Sequence, residues 1–460
     1  MKSKVLAGFS VLKNSINKGH QRSVKAKKNI LASFIIRGCN IAISLVLVPL
    51  TIHYVNPTQY GIWLTLSSII GWFGFFDIGF GNGLRNKFAE AIAKGEHELA
   101  RIYLSTTYAI LSIIITIVLV VFFCINPFLD WSSILDPKGN HPASMSAELS
   151  TLALLVFVFF CLQFVLQLVT TIITANQQPA KASFFNFLGS LFSLIIIFIL
   201  TKTTSGSLIY LGLSLGATPV LVLAASSLWF YTHEYKIYAP SMKFVRFSYA
   251  KDLMSLGLKF FIIQIASIIF YETSNLIIAR IFGAEHVTSY NIAYKYFSII
   301  PMVMSILMTP FWSAFTEAWV NKDIQWIRNT VKRLQTLWVV LSIITLLMLA
   351  CSAFVYKLWV GNKIIVPLTL SASIASYVII NSWNVIYSQF VNGVGKIKLQ
   401  LYLALGGSMI NIPLAIFLAK NFGIYGVVLS TTIISIVTAV ISPVQYNKII
   451  NNRAEGIWAK

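Results

Sequence analysis

Apolar runs recur along almost the whole chain, and each is close to the length that crosses a lipid bilayer. A hydrocarbon core of about 30 Å requires about 20 apolar residues in an α-helix. Twelve runs of roughly this length alternate with polar or charged segments. The pattern predicts an all-α polytopic membrane protein with about twelve transmembrane helices. The predicted spans are 30–53, 60–80, 102–125, 150–174, 183–201, 208–230, 254–282, 287–311, 334–356, 365–391, 399–418 and 422–446.

Composition and charge agree with this interpretation. Of the 460 residues, 57% are hydrophobic and 11% are charged, against about 25% charged in a soluble domain. A soluble enzyme and a disordered scaffold are therefore excluded. A net charge of +21 would suggest nucleic-acid binding in a soluble protein. Most of the 35 Lys and Arg residues, however, fall in alternate connections between the predicted spans. Positive connections stay in the cytoplasm, so both termini are predicted to be cytoplasmic and no nucleic-acid partner is expected.

The two halves of the chain contain matching positions. Phe34 recurs as Phe261, each followed by two isoleucines, and Glu90 recurs as Glu317, both at an offset of 227 residues. Because each half holds an even number of spans, the two halves enter the membrane from the same side. The sequence predicts two parallel six-helix lobes with a substrate site between them. The predicted units are a basic N-terminal segment at 1–29, an N-lobe at 30–230, a linker at 231–253, a C-lobe at 254–446 and a C-terminal tail at 447–460. No cleavable leader is expected, so the first span should remain in the mature protein.

A polar face interrupts the first predicted span. Arg37 lies about eight residues into it, roughly 12 Å along the helix. A charge at that depth costs about 2.5 kcal/mol or more unless its surroundings are wet or paired. Asn40 and Ser44 share the face of Arg37 at the i+3 and i+7 positions. We expect the first helix of each lobe to line a common central cavity, because a polar face occurs at the same register in the seventh span. Its members are Gln264, Ser267, Tyr271 and Asn275.

Two uncharged stripes have similar helical spacing. Both cavity lining and hydrogen bonding between packed helices explain such stripes, and the two interpretations remain open. The stripe of the fourth span contains Gln163 and Gln167, and that of the tenth span contains Asn381, Asn384 and Ser388.

Other deep charged residues indicate the kind of substrate. Lys295, about nine residues into the eighth span, is a candidate cavity cation. Glu272 lies deep in the seventh span, where a carboxylate either pairs with a cation or takes up a proton. It is therefore a candidate both for a structural ion pair and for ion coupling. Basic groups outnumber acidic groups at depth, so we expect the cavity to favour an anionic substrate.

No pattern typical of a catalytic or metal site is present. The cysteines and histidines lack metal-ligand spacing, and no nucleophile and base are arranged for covalent chemistry. We therefore expect no catalytic residue, no metal and no cofactor.

A motif at the cytoplasmic end of the second span carries a family resemblance. Residues 77–86, Asp-Ile-Gly-Phe-Gly-Asn-Gly-Leu-Arg-Asn, resemble the motif found at this place in O-antigen flippases of the Wzx type. Residues 56–63, Asn-Pro-Thr-Gln-Tyr-Gly-Ile-Trp, look like the start of the second helix in that family. The family lies in the polysaccharide-transporter branch of the multidrug, oligosaccharidyl-lipid and polysaccharide exporter superfamily.

The resemblance implies a function and a set of partners. It implies movement of an undecaprenyl-diphosphate-linked oligosaccharide across the bacterial inner membrane by alternating access, driven by an ion gradient. The implied partners are this lipid-linked substrate, the lipid bilayer, and a polysaccharide polymerase and chain-length regulator. Arg37 and Lys295 are suited to hold the diphosphate. Asp77 matches the family motif and is a candidate for ion coupling, although capping of a helix end or pairing with Arg85 explains it as well.

Two rival functions are weighed against the flippase. A multidrug cation exporter of the same superfamily requires deep carboxylates, which the sequence largely lacks. A membrane-embedded polysaccharide polymerase or ligase requires a large outer loop with acid, base and cation groups. The longest predicted outer loop, residues 126–148, is too short for that.

Overall fold

The structure is a computed structural model in which regular structure is helical throughout the described residues, 21–77, 79–137, 143–176, 178–254, 273–361 and 364–459. The predicted all-α membrane fold is confirmed. The first half contains α1 (Gln21–Tyr54), α2 (Pro57–Gly71), α3 (Phe80–Ala93), α4 (His97–Ile125), α5 (Trp131–Leu135), α6 (Ala143–Leu166), α7 (Leu168–Ala175), α8 (Pro179–Thr203) and α9 (Leu208–Thr232). The second half contains α10 (Thr273–Phe282), α11 (Ala284–Phe297), α12 (Ile299–Val320), α13 (Ile324–Val360), α14 (Leu368–Val394), α15 (Lys398–Phe422) and α16 (Ile424–Ile450).

Within the described residues, eight helices are long and apolar enough to cross a membrane. These are Ile35–Tyr54, His97–Phe128, Ser146–Ala175, Pro179–Thr203, Leu208–Thr232, Ile324–Val360, Lys398–Phe422 and Ile424–Ile450. The other four predicted spans have identifiable differences. The second is split into α2 and a short 3₁₀ helix, the eighth is divided into α11 and α12 at Ser298, the seventh is described only in part, and α14 carries many Ser, Asn and Tyr residues.

Three of these spans, the second, eighth and tenth, pack against one another. α2 packs along α11, and α11 also packs against α14. A helix that faces a polar interior requires less apolar surface than one surrounded by lipid, which agrees with the Ser, Asn and Tyr content of α14. The start of α2 is fixed locally, because Oδ1 of Asn56 accepts a hydrogen bond from the Gln59 amide at 2.8 Å and Pro57 occupies the first turn.

The helices pack in two groups. α1 to α9 pack mainly with one another, as do α11 to α16. The groups meet where α2 lies along α11 and where α1 touches α13. At the second contact, the indole nitrogen of Trp359 donates to the carbonyl oxygen of Leu45 at 2.7 Å. The residue boundaries of the two lobes stay a prediction.

Candidate functional site

A cavity of about 660 Å³ lies where α1 of the first half faces α11 and α12 of the second half. Both halves supply polar side chains to its wall, interspersed with apolar ones. The lining residues are Arg37, Asn40, Ile41, Ser44 and Leu45 from α1, with Asn291, Tyr294, Lys295, Ser298, Pro301, Met302 and Ser305 from the second half.

The α1 wall follows the predicted polar face. Arg37, Asn40 and Ser44 all line the cavity, and their spacing places them on one side of the helix. Arg37 is exposed, while Asn40 and Ser44 are half-buried. A continuous helix therefore carries a cation and two neutral hydrogen-bonding groups along the same wall.

The polar stripe of the opposite wall contains one predicted residue and three that sequence reasoning missed. Lys295 lines the cavity as expected, and Asn291, Ser298 and Ser305 lie beside it. Their offsets from Asn291 are 4, 7 and 14 residues, which is the spacing of one helix face. This periodic stripe was the signal that could have identified them.

The described lining carries charge of one sign. Arg37 and Lys295 are the charged residues among the described lining residues, and none of these is a carboxylate. Within the described ranges, neither cation has a carboxylate at salt-bridge distance. Unneutralised positive charge in a recessed site attracts anions. The arginine offers a planar fork for two oxygens, and the lysine offers a point charge.

Next to the cavity, α2 and α11 meet with almost no space between them. The hydroxyl of Thr288 donates to the carbonyl oxygen of Pro57 at 2.6 Å. A Cβ atom at Gly61 would overlap the carbonyl oxygen of Ala284, so the two backbones touch there. We call this contact the interlobe seam and define it by Pro57, Gly61, Ser68, Asn275, Ala284 and Thr288.

Hydrogen bonds connect the interlobe seam to the cavity. Nδ2 of Asn275 donates to the hydroxyl oxygen of Ser68 at 2.7 Å, a buried bond between the two halves. Nδ2 of the cavity residue Asn291 donates to Oδ1 of Asn275 at 2.7 Å and to the carbonyl oxygen of Val287 at 2.9 Å. Asn275 was predicted to line the cavity, but the structure places it in the interlobe seam behind Asn291.

The interlobe seam is closed further at the start of α11. A carboxylate oxygen of Asp136, in the connection after α5, accepts a hydrogen bond from the Ala284 amide at 3.2 Å. The Asp136 side chain is buried. A carboxylate at a helix N-terminus satisfies a free backbone donor and interacts favourably with the helix dipole.

Five other predicted site residues do not line this cavity: Gln163, Gln167, Asn381, Asn384 and Ser388. For Asn384 the structure gives a reason. Its Nδ2 donates to the backbone carbonyl of Ser435 at 2.9 Å, which joins α14 to α16. Gln167 lies at the junction of α6 and α7 and is exposed. These stripes therefore lie away from this cavity, and the Asn384 bond favours helix packing, one of the two interpretations left open, for that residue.

The remaining predictions fall outside what the structure describes. Gln264, Ser267, Tyr271 and Glu272 belong to 255–272, which lies outside the described residues. Asp77 ends the 3₁₀ helix Trp72–Asp77, and its side chain is likewise outside the description. Both ion-coupling candidates therefore stay predictions.

Comparison with known proteins assigns the chain to a class and a family. A family model described as polysaccharide biosynthesis protein matches residues 26–314, and a second, MatE, matches residues 259–417. No curated protein matches the chain in sequence.

Solved structures share the fold. The inward-facing conformation of a multidrug resistance MATE family transporter of the MOP superfamily has a TM-score of 0.72 at 14% identity, covering 89% of this chain and 95% of that one. The lipid II flippase MurJ in an inward closed conformation has a TM-score of 0.71 at 13% identity, covering 91% and 87%. An outward-facing conformation of a multidrug resistance MATE family transporter has a TM-score of 0.65 at 14% identity, covering 93% and 96%.

The chain is a multi-pass membrane protein, and its fold is the one found in MATE family transporters and in the lipid II flippase MurJ. Because the first family model covers more than half of the chain, the protein belongs to the polysaccharide biosynthesis protein family. The resemblance drawn from residues 56–63 and 77–86 is confirmed at this level.

Proposed function

We propose that the protein is a flippase that moves an undecaprenyl-diphosphate-linked oligosaccharide, an O-antigen repeat unit, across the bacterial inner membrane by alternating access. The observation that carries the proposal is the position of Arg37 and Lys295 on facing walls of one cavity, whose described lining residues include no carboxylate. Two cations in one recessed cavity suit a diphosphate far better than a cationic drug.

The other lining residues suit the rest of such a substrate. Asn40, Ser44 and Asn291 can exchange hydrogen bonds with sugar hydroxyls, and Tyr294 offers an aromatic wall. A volume of about 660 Å³ has room for a diphosphate and the sugars nearest to it. The polyprenyl tail would stay in the bilayer between the two helical groups. A carrier of this kind makes no covalent change to its substrate, so the proposed protein is not an enzyme.

Charge distribution gives the proposed orientation. With Lys- and Arg-rich connections in the cytoplasm, Pro57 and Ala284 lie at the outer side. The interlobe seam then closes the outer side while the cavity receives substrate from the inner leaflet. Release to the outer leaflet requires that the interlobe seam separates. Glu272 and Asp77 are the proposed candidates for coupling this change to an ion gradient, and a polymerase and chain-length regulator would act on the product.

Complementation tests the proposal directly. A strain that lacks its O-antigen flippase should regain surface polysaccharide when it expresses the wild-type chain. Arg37→Ala and the double variant Arg37→Ala/Lys295→Ala should lose display while reaching the membrane at normal levels. Arg280→Ala is the matched control, because Arg280 is exposed on α10 and does not line the cavity. Normal display by the double variant would refute a role for the two cations.

A multidrug antiporter is the second candidate, because the MatE model matches residues 259–417. Overexpression should then raise resistance to several cationic drugs, and the resistance should not depend on Arg37. Unchanged drug sensitivity together with restored polysaccharide display would eliminate this candidate.

A further inference from the structure

The connection between the two halves is held along the cytoplasmic end of α4. We call residues 236–249 the linker strap; it contains three short 3₁₀ helices, Lys236–Tyr238, Met242–Phe244 and Phe247–Tyr249. Nε of Arg101 donates to the carbonyl oxygen of Ala239 at 2.9 Å, and its guanidinium lies 4.2 Å from the ring centre of Phe244. The amide of Ser241 donates to the hydroxyl of Ser105 at 3.2 Å.

Further contacts hold both ends of the linker strap. Nδ1 of His97 and the hydroxyl of Tyr238 are 2.7 Å apart. The amide of Arg246 donates to the hydroxyl of Thr106 at 3.0 Å. The linker strap is therefore fixed to one face of α4 from His97 to Thr106, about 14 Å along the helix axis.

The length of α4 indicates how deep in the membrane the contact between α4 and the linker strap lies. The apolar span His97–Phe128 has 32 residues, which corresponds to about 48 Å, whereas the hydrocarbon core is about 30 Å thick. The exposed apolar side chains of α4 lie between Ile113 and Ile125. About 20 residues counted back from Ile125 reach Thr106. The stretch from His97 to Thr106, and the linker strap with it, thus lies at the level of the lipid headgroups.

At this depth the linker strap exposes large apolar side chains beside cations. Met242 is 84% exposed, and Phe247 is 58% exposed. Lys243 and Arg246 are exposed next to them. Nη1 of Arg246 donates to the carbonyl oxygens of Lys243 and Val245, both at 3.0 Å, so its guanidinium is held close to the backbone with other N–H groups available.

We propose that the linker strap is a lipid-binding surface for acidic phospholipids of the cytoplasmic leaflet. Met242 and Phe247 insert at the boundary between headgroups and acyl chains, and Lys243 and Arg246 bind the headgroup phosphates. Apolar side chains flanked by basic ones are the combination that binds an anionic membrane surface. The linker strap joins the two halves, so bound lipid fixes its depth while the halves move. The orientation proposed from the charge distribution assigns the linker strap to the cytoplasmic leaflet. This proposal does not depend on which substrate the protein transports.

Lipid retention tests the charged part of this surface. Delipidated full-length protein is titrated with phosphatidylglycerol and separately with phosphatidylcholine, and bound lipid is counted by native mass spectrometry. The wild type should retain more phosphatidylglycerol, and Lys243→Gln/Arg246→Gln should weaken that retention roughly tenfold. Lys202→Gln/Lys420→Gln, which removes two exposed cations at other helix ends, should leave it unchanged. Equal retention by the linker-strap variant and the wild type would overturn the proposal.

Measuring the depth of a spin label in the membrane tests whether the apolar residues of the linker strap insert. This test leaves Lys243 and Arg246 in place. A spin label at Met242→Cys, in protein reconstituted in vesicles that contain phosphatidylglycerol, should collide more with oxygen than with a water-soluble nickel complex. A label at Lys322→Cys, in the exposed turn before α13, should show the reverse. If the Met242 label is as accessible to nickel as the Lys322 label, the surface faces water and is free for a protein partner instead, and the lipid proposal is refuted.

Discussion

The two halves of the protein meet in two contrasting ways within a short distance. In the cavity, Arg37 and Lys295 extend long charged side chains into open space. In the interlobe seam, Gly61 brings the backbone of α2 against the carbonyl of Ala284. Long side chains keep the halves apart and leave room for a ligand, whereas small residues and backbone acceptors allow contact without space for a ligand. A carrier that alternates its access needs both kinds of surface.

The largest effect is expected when the smallest residue of the interlobe seam is enlarged, because this should force the two halves apart where they now touch. Gly61→Leu should prevent α2 from approaching α11, because its side chain would have to occupy the position of the Ala284 carbonyl. We expect a cost of roughly 3 kcal/mol to the closed arrangement, the upper part of the range for overpacking, enough to shift its population more than a hundredfold. Spin-label distances between α2 and α11 should report separation.

Gly406→Leu is the matched control for that substitution, because a Cβ at Gly406 in α15 meets nothing within 4 Å. Its label distances should equal those of the wild type. An unchanged α2 to α11 distance in the folded Gly61→Leu protein would contradict the role given to the interlobe seam.

The next largest effect should come from the cavity, by substitution of the cation Arg37. Arg37→Gln should weaken binding of undecaprenyl diphosphate to the purified protein about tenfold to a hundredfold, the usual value of a hydrogen bond to a charged group. Arg37→Lys should lose less, since it keeps the charge and loses only the planar fork. Thermophoresis with a fluorescent analogue of this lipid measures both affinities, with Arg280→Gln as control. Equal affinity in wild type and Arg37→Gln would exclude contact with the diphosphate.

A smaller effect is expected where cavity and interlobe seam meet. Asn275→Ala and Ser68→Ala each remove one partner of the 2.7 Å bond between the halves. A double-mutant cycle on thermal unfolding should give a coupling near 0.6 kcal/mol, the average for such bonds inside membrane proteins. Additive effects of the two substitutions would show that this bond contributes nothing to holding the halves together.

The smallest effect concerns the connection between α4 and α6, which contains α5 and leads to Asp136. Hydrogen bonds from Ser132 and Ser133 lower the pKa of Asp130 to about 2 from its ordinary 3.8, and Asp130 caps α5. A lowered pKa in the folded state means that the cap is fully present above about 3.8 and is lost as pH falls through about 2. Hydrogen-exchange protection of the Ser132 and Ser133 amides, corrected for intrinsic rates, should be equal at pH 7 and pH 5.

Asp130→Asn provides the comparison for the pH experiment, because asparagine caps a helix equally well and does not titrate. Both proteins should behave alike over this range. Protection in the wild type that falls between pH 7 and pH 5 would mean that another titrating group controls the start of α5.

Sequence periodicity predicted one cavity wall well. Arg37, Asn40 and Ser44 stand out because charged and amide groups are costly inside an apolar helix, so their common face indicates a polar neighbour. The same argument could not separate lining from packing for Asn384, because a backbone carbonyl on the adjacent helix satisfies its amide. Such a partner is set by tertiary structure and leaves no trace in local spacing.

The interlobe seam was not predicted at all. Gly61 and Thr288 are ordinary residues of a membrane helix, and their importance comes from backbone atoms 223 and 231 residues away in the chain, at Ala284 and Pro57. The break between α11 and α12 at Ser298 was missed although Pro301 lies in the first turn of α12, a position where proline commonly begins a helix. Contacts made by backbone atoms are invisible to a reading based on side-chain polarity.

The amide of Asn291 has a consequence for how a bound molecule is sensed. Both of its N–H groups already have acceptors, Asn275 and the carbonyl of Val287. An incoming oxygen that accepts from this amide must displace one of them. If it displaces Asn275, the cargo takes the N–H that now supports the residue bonded to Ser68 in the other half, so cargo and Asn275 compete for one donor and loading loosens the contact that keeps the halves closed.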